Sequence, residues 1–128
     1  MAFSPDLVAV VDDDPQVCKA LQRLLRSFGF AVETQASGDA FLQTVRDHRP
    51  GCVVLDLHMP GLDGLDVQSQ LARWGIATPI VMMTGQGTPE ARSRALGNGA
   101  VAFIDKPIDA VHLLTAVNGA LLTSGPHP

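Results

Sequence analysis

Five short, mostly apolar segments, each followed by a stretch with helical periodicity, constrain the fold of this chain more than any other feature. The runs lie at residues 7–11, 30–34, 52–55, 79–83 and 101–104. Their length and their content of β-branched residues are typical of buried strands. Strands that alternate with helices in this way form parallel sheets with helices packed on both faces. The sequence therefore predicts a doubly wound α/β domain with five parallel strands.

Length and composition limit the classes of protein that the chain can represent. With 128 residues, 46% of them apolar, it is long enough for one domain with one core. A net charge of −4 and no basic stripe argue against direct binding of nucleic acid. No apolar run is long enough to span a membrane, and residues 1–5 lack the basic start of a signal peptide. We expect a soluble cytoplasmic protein without membrane association, with its domain at 1–122 and a tail or linker at 123–128.

Cysteines, histidines and the basic side of the first helix give no specific signal of their own. Cys18 and Cys52 are far apart and form no C-x-x-C pair, so packing roles are expected for both. The four histidines lack metal-ligand spacing. Lys19, Arg23 and Arg26 share one side of the first helix, which is either a solvated face or a docking face for an acidic or helical partner.

Polar residues follow four of the five runs, at or just after the point where each predicted strand ends. They are Asp12 and Asp13, Asp56, Thr84, and Lys106. In open parallel sheets the carboxyl ends of the strands share one edge, and ligands bind there. The sequence therefore predicts that these side chains converge on one site.

Three carboxylates in a small volume repel one another unless a cation lies between them. Oxygen ligands of this kind suit Mg²⁺, with Mn²⁺ as the alternative. Asp14 is excluded from this set because we expect it to cap the N-terminus of the first helix, with Pro15 as the first residue of that helix. Asp12, Asp13 and Asp56 are therefore the candidate metal ligands.

The remaining groups indicate chemistry on Asp56. Thr84 can donate one hydrogen bond, and Lys106, one of two lysines in the chain, supplies a compact positive charge suited to phosphate oxygens. A metal, an ammonium group and a hydroxyl around one carboxylate suit a phosphoryl group carried by that carboxylate. Pro107 has no N–H and readily forms a cis bond, so we expect it to fix the direction of Lys106.

Several motifs occur in a fixed order along the chain: Val11-Asp12-Asp13-Asp14, Asp56 with Met59-Pro60-Gly61 and Asp63-Gly64, Thr84-Gly85, Gly99-Ala100, and Phe103-Ile104-Asp105-Lys106-Pro107. Together they resemble the response-regulator receiver domains of two-component signalling over essentially the whole chain. This resemblance implies a flavodoxin-like three-layer sandwich with strand order 2-1-3-4-5. The segments 84–87 and 103–107 are most similar to receivers of nitrogen-fixation-type regulators, which usually carry a C-terminal helix-turn-helix.

The resemblance also implies a role for each site residue. Asp56 would accept a phosphoryl group from a phosphohistidine on a sensor histidine kinase or phosphotransfer protein. Asp13 would ligate Mg²⁺ directly, Asp12 would hold it mostly through water, and the backbone carbonyl of His58 would complete the set. The His58 and Gln86 side chains would tune the lifetime of the phosphoaspartate.

Thr84 and Phe103 occupy the positions that switch conformation in the resembling family. The hydroxyl would move to the phosphoryl oxygen, and the aromatic ring would turn inward into the space vacated. Ordinary strand packing is the alternative role for Phe103. The helix at residues 88–97 has a thin apolar stripe, so we expect it to be the most mobile helix.

Three alternatives bear on function. A receiver that works without phosphorylation is one, although the intact set of five site residues argues against it. A small Mg²⁺-dependent phosphatase is another, but His58 stands where such enzymes have a second aspartate, so we expect no turnover enzyme.

The chain either acts alone on a downstream protein or is attached to an output domain. If activation pairs two receivers, the resemblance implies that the contact is formed by the last two helices and the fifth strand.

Overall fold

Strands and helices alternate along the chain as the apolar runs predict. The computed structural model describes residues 2–123. The elements are β1 Ala2–Val11, α1 Pro15–Ser27, β2 Ala31–Gln35, α2 Gly38–Val45, β3 His48–Asp56, α3 Gly64–Arg73, β4 Ile80–Thr84, α4 Pro89–Gly97, β5 Ala102–Asp105 and α5 Ala110–Thr123. The sheet has the order β2-β1-β3-β4-β5, and every strand pair is parallel. The predicted fold class and strand order are confirmed.

The sheet divides the core into two clusters because successive strand side chains point to opposite faces. In β1, Val8 and Val10 belong to one cluster, and Ala9 and Val11 belong to the other. The first cluster is covered by α1 and α5, through Leu21, Leu25, Leu113 and Val117. The second is covered by α2, α3 and α4, through Phe41, Leu42, Val45, Val67, Leu71 and Ala95. Both faces of the sheet are therefore buried, which explains why β1, β3, β4 and β5 contain continuous apolar runs, whereas the edge strand β2 is partly exposed.

Two strands are longer than predicted. β1 begins at Ala2 rather than at residue 7, and β3 begins at His48 rather than at residue 52. Residues 2–4 pair with residues 48–50 across a register irregularity between Ser4 and Val8. At this irregularity the chains approach so closely that a Cβ on Gly51 would overlap the Pro5 carbonyl. Apolar periodicity missed the extension because ladder hydrogen bonds use backbone groups and need no buried side chains.

The other three strands lie one residue later than predicted, at both ends. As a result Thr84 is the last residue of β4 and Asp105 is the last residue of β5. Helix ends follow the predicted capping residues. Asp14 accepts a hydrogen bond from the Gln16 N–H at 2.9 Å, and Gly29 follows α1 with a φ of +92°.

The second half of α4 is held by few side chains. Ala95 is its one buried residue, and Leu96 is 38% exposed. The thin apolar stripe is confirmed, whereas the mobility of α4 remains a prediction. The predicted tail at 123–128 falls mostly outside the described residues, and its first residue, Thr123, ends α5. Within residues 2–123, every helix is too short or too polar to span a bilayer.

Candidate functional site

The register of the sheet brings the carboxylates together. Val11 of β1 pairs with Leu55 of β3, so the residues that follow them, Asp12 and Asp56, are neighbours at the carboxyl edge. Asp12 is 1% exposed and Asp56 is 3% exposed, whereas Asp13 faces solvent. One oxygen from each of the three carboxylates lies within 4.8 Å of the others. The predicted cluster of Asp12, Asp13 and Asp56 is therefore present in the structure.

Lys106 lies between the two buried carboxylates. Its Nζ is 2.8 Å from Asp12 Oδ2 and 3.5 Å from Asp56 Oδ1. Its backbone N–H donates to the Thr84 carbonyl at 2.7 Å, and the Lys106–Pro107 peptide bond is cis, as the sequence allowed. Burial opposes the ammonium charge, but the hydrogen bond to Asp12 and the charge of Asp56 outweigh it and raise the pKa of Lys106.

One lysine does not neutralise this site. Burial, and then the nearby charge of Asp12, raise the pKa of Asp56 to about 6. The ammonium of Lys106 and a hydrogen bond from the His58 N–H act in the opposite direction. A further cation would stabilise the ionised form of Asp56, because its pKa is raised and two other carboxylates lie next to it. Because the donors are carboxylate oxygens, a hard divalent ion such as Mg²⁺ fits the set.

One oxygen of Asp56 is held and the other is free. Oδ1 accepts a hydrogen bond from the His58 N–H at 3.4 Å and also faces Lys106. No hydrogen bond within residues 2–123 engages Oδ2.

Gly64 lies close to the backbone of Asp56, since a Cβ on Gly64 would be 2.8 Å from the Asp56 carbonyl oxygen. Gly64 therefore allows α3 to begin directly against the end of β3.

Thr84 and Phe103 meet around a glycine. Thr84 is fully buried, and its Oγ1 accepts a hydrogen bond from the Gln86 N–H at 3.0 Å. A Cβ on Gly87 would lie 3.0 Å from Thr84 Cγ2 and 3.2 Å from Phe103 Cε1. The Phe103 ring is 5% exposed and lies in the core cluster beneath α4. The resemblance implies a ring that turns inward on activation, but in this structure the ring is already inside.

His58 and Gln86, which are expected to tune the lifetime of the phosphoaspartate, are in contact. His58 and Gln86 are both exposed, and they lie on the loops after β3 and β4. His58 Nε2 is 3.4 Å from the Gln86 carbonyl oxygen, so it donates when Nε2 carries the proton. The ring thus links two loops that border the carboxylates, a contact that sequence reasoning did not predict.

Comparison with known proteins agrees with this geometry. A family model described as response regulator receiver domain matches residues 8–118. The chain belongs to the response-regulator receiver family. It is a receiver domain of two-component signalling systems, and such receivers are generally signalling domains rather than turnover enzymes.

The relatives are regulators from bacteria. The chain is 39% identical over 121 residues to the response regulator protein TodT of Pseudomonas putida, covering 94% of this chain and 53% of TodT. It is 41% identical over 119 residues to nodulation protein W of Bradyrhizobium diazoefficiens, covering 93% of this chain and 52% of nodulation protein W. The chain thus spans about half the length of these relatives. The crystal structure of FixJ-N superposes with a TM-score of 0.88 at 34% identity, covering 94% of this receiver and 97% of FixJ-N.

Sequence reasoning missed a second contact at this site. Cys18, expected to serve packing alone, lies in the first half of α1 with its Sγ 3.3 Å from the Asp12 carbonyl oxygen, to which it donates. Burial, and then the charge of Asp12, raise the pKa of this thiol. Helical spacing with Leu21 and Leu25 placed Cys18 on the apolar side of α1, but only the structure shows the bond. Cys52 packs in the core as expected, and burial raises its pKa to about 12.

Proposed function

We propose that Asp56 accepts a phosphoryl group from a phosphohistidine on a sensor histidine kinase or a phosphotransfer protein, in a Mg²⁺-dependent step. The observation that carries this proposal is the free Oδ2 of a buried carboxylate flanked by Asp12, Asp13 and the Lys106 ammonium. Geometry of this kind suits a nucleophile that gains a group with several negative oxygens.

In the proposed step the Asp56 oxygen attacks phosphorus, the phosphorus–nitrogen bond breaks, and its electron pair returns to the donor imidazole. Lys106, 3.5 Å from Asp56, is close enough to pair with an oxygen of the incoming phosphoryl group. Thr84 Oγ1 already accepts a hydrogen bond from the Gln86 N–H, which leaves its own hydrogen available for donation. No partner base is needed, because the attacking carboxylate is ionised near neutral pH.

Asp12, Asp13 and Asp56 would hold the ion, with the backbone carbonyl of His58 as a further ligand. When bound, Mg²⁺, or Mn²⁺ in its place, supplies positive charge that offsets the negative oxygens of the phosphoryl group. The role of the His58 carbonyl rests on the family resemblance. The acidic cluster itself supports the assignment of the other three residues.

We infer that phosphorylation changes the face formed by α4, β5 and α5, through Thr84 and Phe103. This face exposes several apolar side chains, with Leu96 at 38%, Val101 at 45% and Val111 at 70%. Exposed apolar side chains on these elements suit a contact with either a downstream protein or a second activated receiver. Because the chain matches about half of TodT and nodulation protein W, an attached output domain is an equally suitable partner. The proposed location is the cytoplasm, where sensor kinases present their phosphohistidine.

The deciding experiment is the intact mass after incubation with Mg²⁺ and acetyl phosphate. We expect a labile adduct of one phosphoryl group that disappears in Asp56→Asn and in the presence of a chelator. Asp47→Asn is the matched control, because it removes an exposed carboxylate remote from the site and should leave the adduct intact. An adduct that persists in Asp56→Asn would contradict the assignment of Asp56. No adduct under any condition would favour a receiver that acts without phosphorylation.

A further inference from the structure

Helix α4 is fixed at its C-terminal end and loosely held at its N-terminal end. Ala95, in its last turn, is fully buried. The chain beyond the helix returns directly to the sheet, where the Val101 N–H donates to the Ile80 carbonyl at 2.8 Å. Residues 88–90 and 92–94 are exposed, and Ala91 is only partly buried. A helix anchored in this way moves most easily at its N-terminal end, by turning about the fixed C-terminal end.

A side chain of α3 strengthens the fixed end of α4. Gln68 is 4% exposed, and its Nε2 donates a buried hydrogen bond of 2.9 Å to the Ala95 carbonyl. The same carbonyl accepts a second hydrogen bond, from the Ala100 N–H at 3.0 Å, in the turn that ends α4. α3 itself is firmly packed, with Val67 and Leu71 in the core cluster. Both the side chain and the carbonyl of Ala95 therefore hold the C-terminal end of α4.

Gln68 positions α4 more than it stabilises the domain. Its Oε1 is buried, and no group within residues 2–123 donates a hydrogen bond to it. A buried acceptor without a donor has a free-energy cost at least as large as the net gain from one hydrogen bond. The cost at Oε1 therefore offsets much of the gain at Nε2. What remains is the geometry, because the amide fixes the distance between the middle of α3 and the last turn of α4.

The N-terminal half of α4 lies against the proposed switch residue. The Arg92 guanidinium carbon is 5.6 Å from the centre of the Phe103 ring. Thr84 lies close to the same ring, on the opposite side of the loop that leads into α4, since a Cβ on Gly87 would contact both side chains. A displacement at Thr84 or Phe103 therefore acts on the end of α4 that is free to move.

We propose that α4 moves by turning about Ala95, and that Gln68 is the positioning residue that fixes this pivot. A phosphoryl group on Asp56 would then displace the Arg92 end of the helix, while the hydrogen bond between Gln68 and Ala95 remains. This second part rests on the proposed function, since it needs phosphorylation of Asp56. The pivot itself is a property of the unmodified chain and can be tested without phosphorylation.

Amide hydrogen exchange in the unmodified 128-residue chain tests the pivot. Gln68→Met keeps the approximate volume of the side chain but cannot donate to Ala95. The Ala100 N–H bonds to the same carbonyl, so we expect its exchange to quicken about fivefold, whereas exchange at Arg92 should change less than about twofold.

Gln70→Met is the matched control, because it makes the same substitution at a less buried position on α3. It should leave exchange at Ala100 unchanged. The two variants should also have similar urea midpoints, since Gln68 contributes little net stability. A change at Ala100 no larger in Gln68→Met than in Gln70→Met would overturn the proposal. Faster exchange spread evenly over the domain in Gln68→Met would do the same, because a purely structural role gives that result.

The natural chain provides a test that needs no variant. In NMR spectra with Mg²⁺ and beryllofluoride, which mimics a phosphoryl group on a carboxylate, we expect the Arg92 amide signal to shift. The Gln68 Nε2 protons should keep both their chemical shift and their slow exchange. If the Nε2 protons shift or exchange faster together with Arg92, the pivot is wrong. No change at any residue would instead contradict the assignment of Asp56 as phosphoacceptor, and exchange at Ala100 would then decide the pivot alone.

Discussion

Asp56 carries a charge that the folded domain does not fully stabilise in the absence of a metal. Its pKa rises from 3.8 to about 6, chiefly through burial. The folded state therefore binds this proton more tightly than the unfolded state does. The resulting stabilisation is complete below pH 3.8, and it is lost as the pH rises through about 6. At neutral pH the ionised Asp56 is a local source of instability.

We therefore predict that Asp56→Asn is more stable than the natural chain at pH 7 in a chelator, by about 2–3 kcal/mol. The gain should shrink at pH 4.5, where Asp56 is almost fully protonated in the folded state and is ionised mainly in the unfolded state. Urea unfolding at both pH values measures it. Asp47→Asn, which removes an exposed carboxylate, should change stability by less than about 0.5 kcal/mol. An Asp56→Asn variant less stable than the natural chain at pH 7 would contradict the electrostatic argument.

His58 offers a second test at the level of one side chain. Its ring joins the loops after β3 and β4 through the Gln86 carbonyl, next to the carboxylates. We predict that His58→Ala lets water reach the phosphoaspartate more easily and shortens its lifetime about twofold to tenfold, the effect of one weak hydrogen bond. The decay of the phosphorylated mass after removal of acetyl phosphate measures this. His58→Gln, which can still reach a carbonyl, should decay closer to the natural rate. An unchanged or longer lifetime in His58→Ala would show that the ring does not restrict water.

At the level of elements, α4 differs from its neighbours in how it is anchored. Ala95 is its one buried residue, and Gln68 ties it to α3 through a single buried side-chain hydrogen bond. Arg92 of α4 lies over the Phe103 ring, with its guanidinium carbon 5.6 Å from the ring centre. This cation–π contact favours the inward position of the ring, and the absence of a side chain on Gly87 leaves room for it there. The position of α4 and the position of the ring are therefore coupled.

Weak anchoring makes α4 depend on its N-cap. Thr88 Oγ1 accepts a hydrogen bond from the Ala91 N–H at 3.1 Å. We predict that Thr88→Ala lowers the protection of α4 amides in hydrogen exchange about fivefold, the equivalent of about 1 kcal/mol.

The matched control is Ser37→Ala, which removes the same kind of cap from α2. Phe41, Leu42 and Val45 anchor α2 in the core, so its amides should keep exchanging together with the rest of the domain. If α2 and α4 lose protection equally, burial does not decide how these helices respond to the loss of a cap.

At the level of the whole molecule, stability should depend on divalent cations. An ion that binds only the folded state stabilises it by about 2.7 kcal/mol at 100 times its Kd. We predict that Mg²⁺ at this concentration raises the melting temperature by roughly 10 °C for a domain of this size. In Asp13→Asn, at least about tenfold more Mg²⁺ should be needed for the same shift.

Asp14→Asn is the control for this titration, since Asn is also a good N-cap and Asp14 lies outside the cluster. Thermal unfolding monitored by circular dichroism gives both curves. A Mg²⁺ response in Asp13→Asn equal to that of the natural chain would remove Asp13 from the metal site.

Much of this organisation could be predicted from the sequence because the fold buries both faces of its sheet. Apolar runs then mark strands, and an ionisable residue at the end of a run, such as Asp56, marks the edge where ligands bind. Contacts that depend on distance across the fold could not be predicted in this way. The His58 ring at the Gln86 carbonyl, the Cys18 thiol at the Asp12 carbonyl and the inward Phe103 ring all depend on loop geometry and rotamers. The extension of β1 was missed because its pairing uses the backbone alone.

The division of the core by the sheet has a consequence for sequence change. Phe103 packs with the cluster under α2, α3 and α4, whereas Leu21, Leu25 and Leu113 pack on the other side. Substitutions that repack α1 and α5 can therefore accumulate without altering the neighbours of Phe103. Surfaces that contact a kinase or a downstream partner can change on the α1 and α5 side while the packing around Phe103, the proposed switch residue, stays the same. A receiver can thus change the proteins that it contacts without changing the packing through which we propose it responds to phosphorylation.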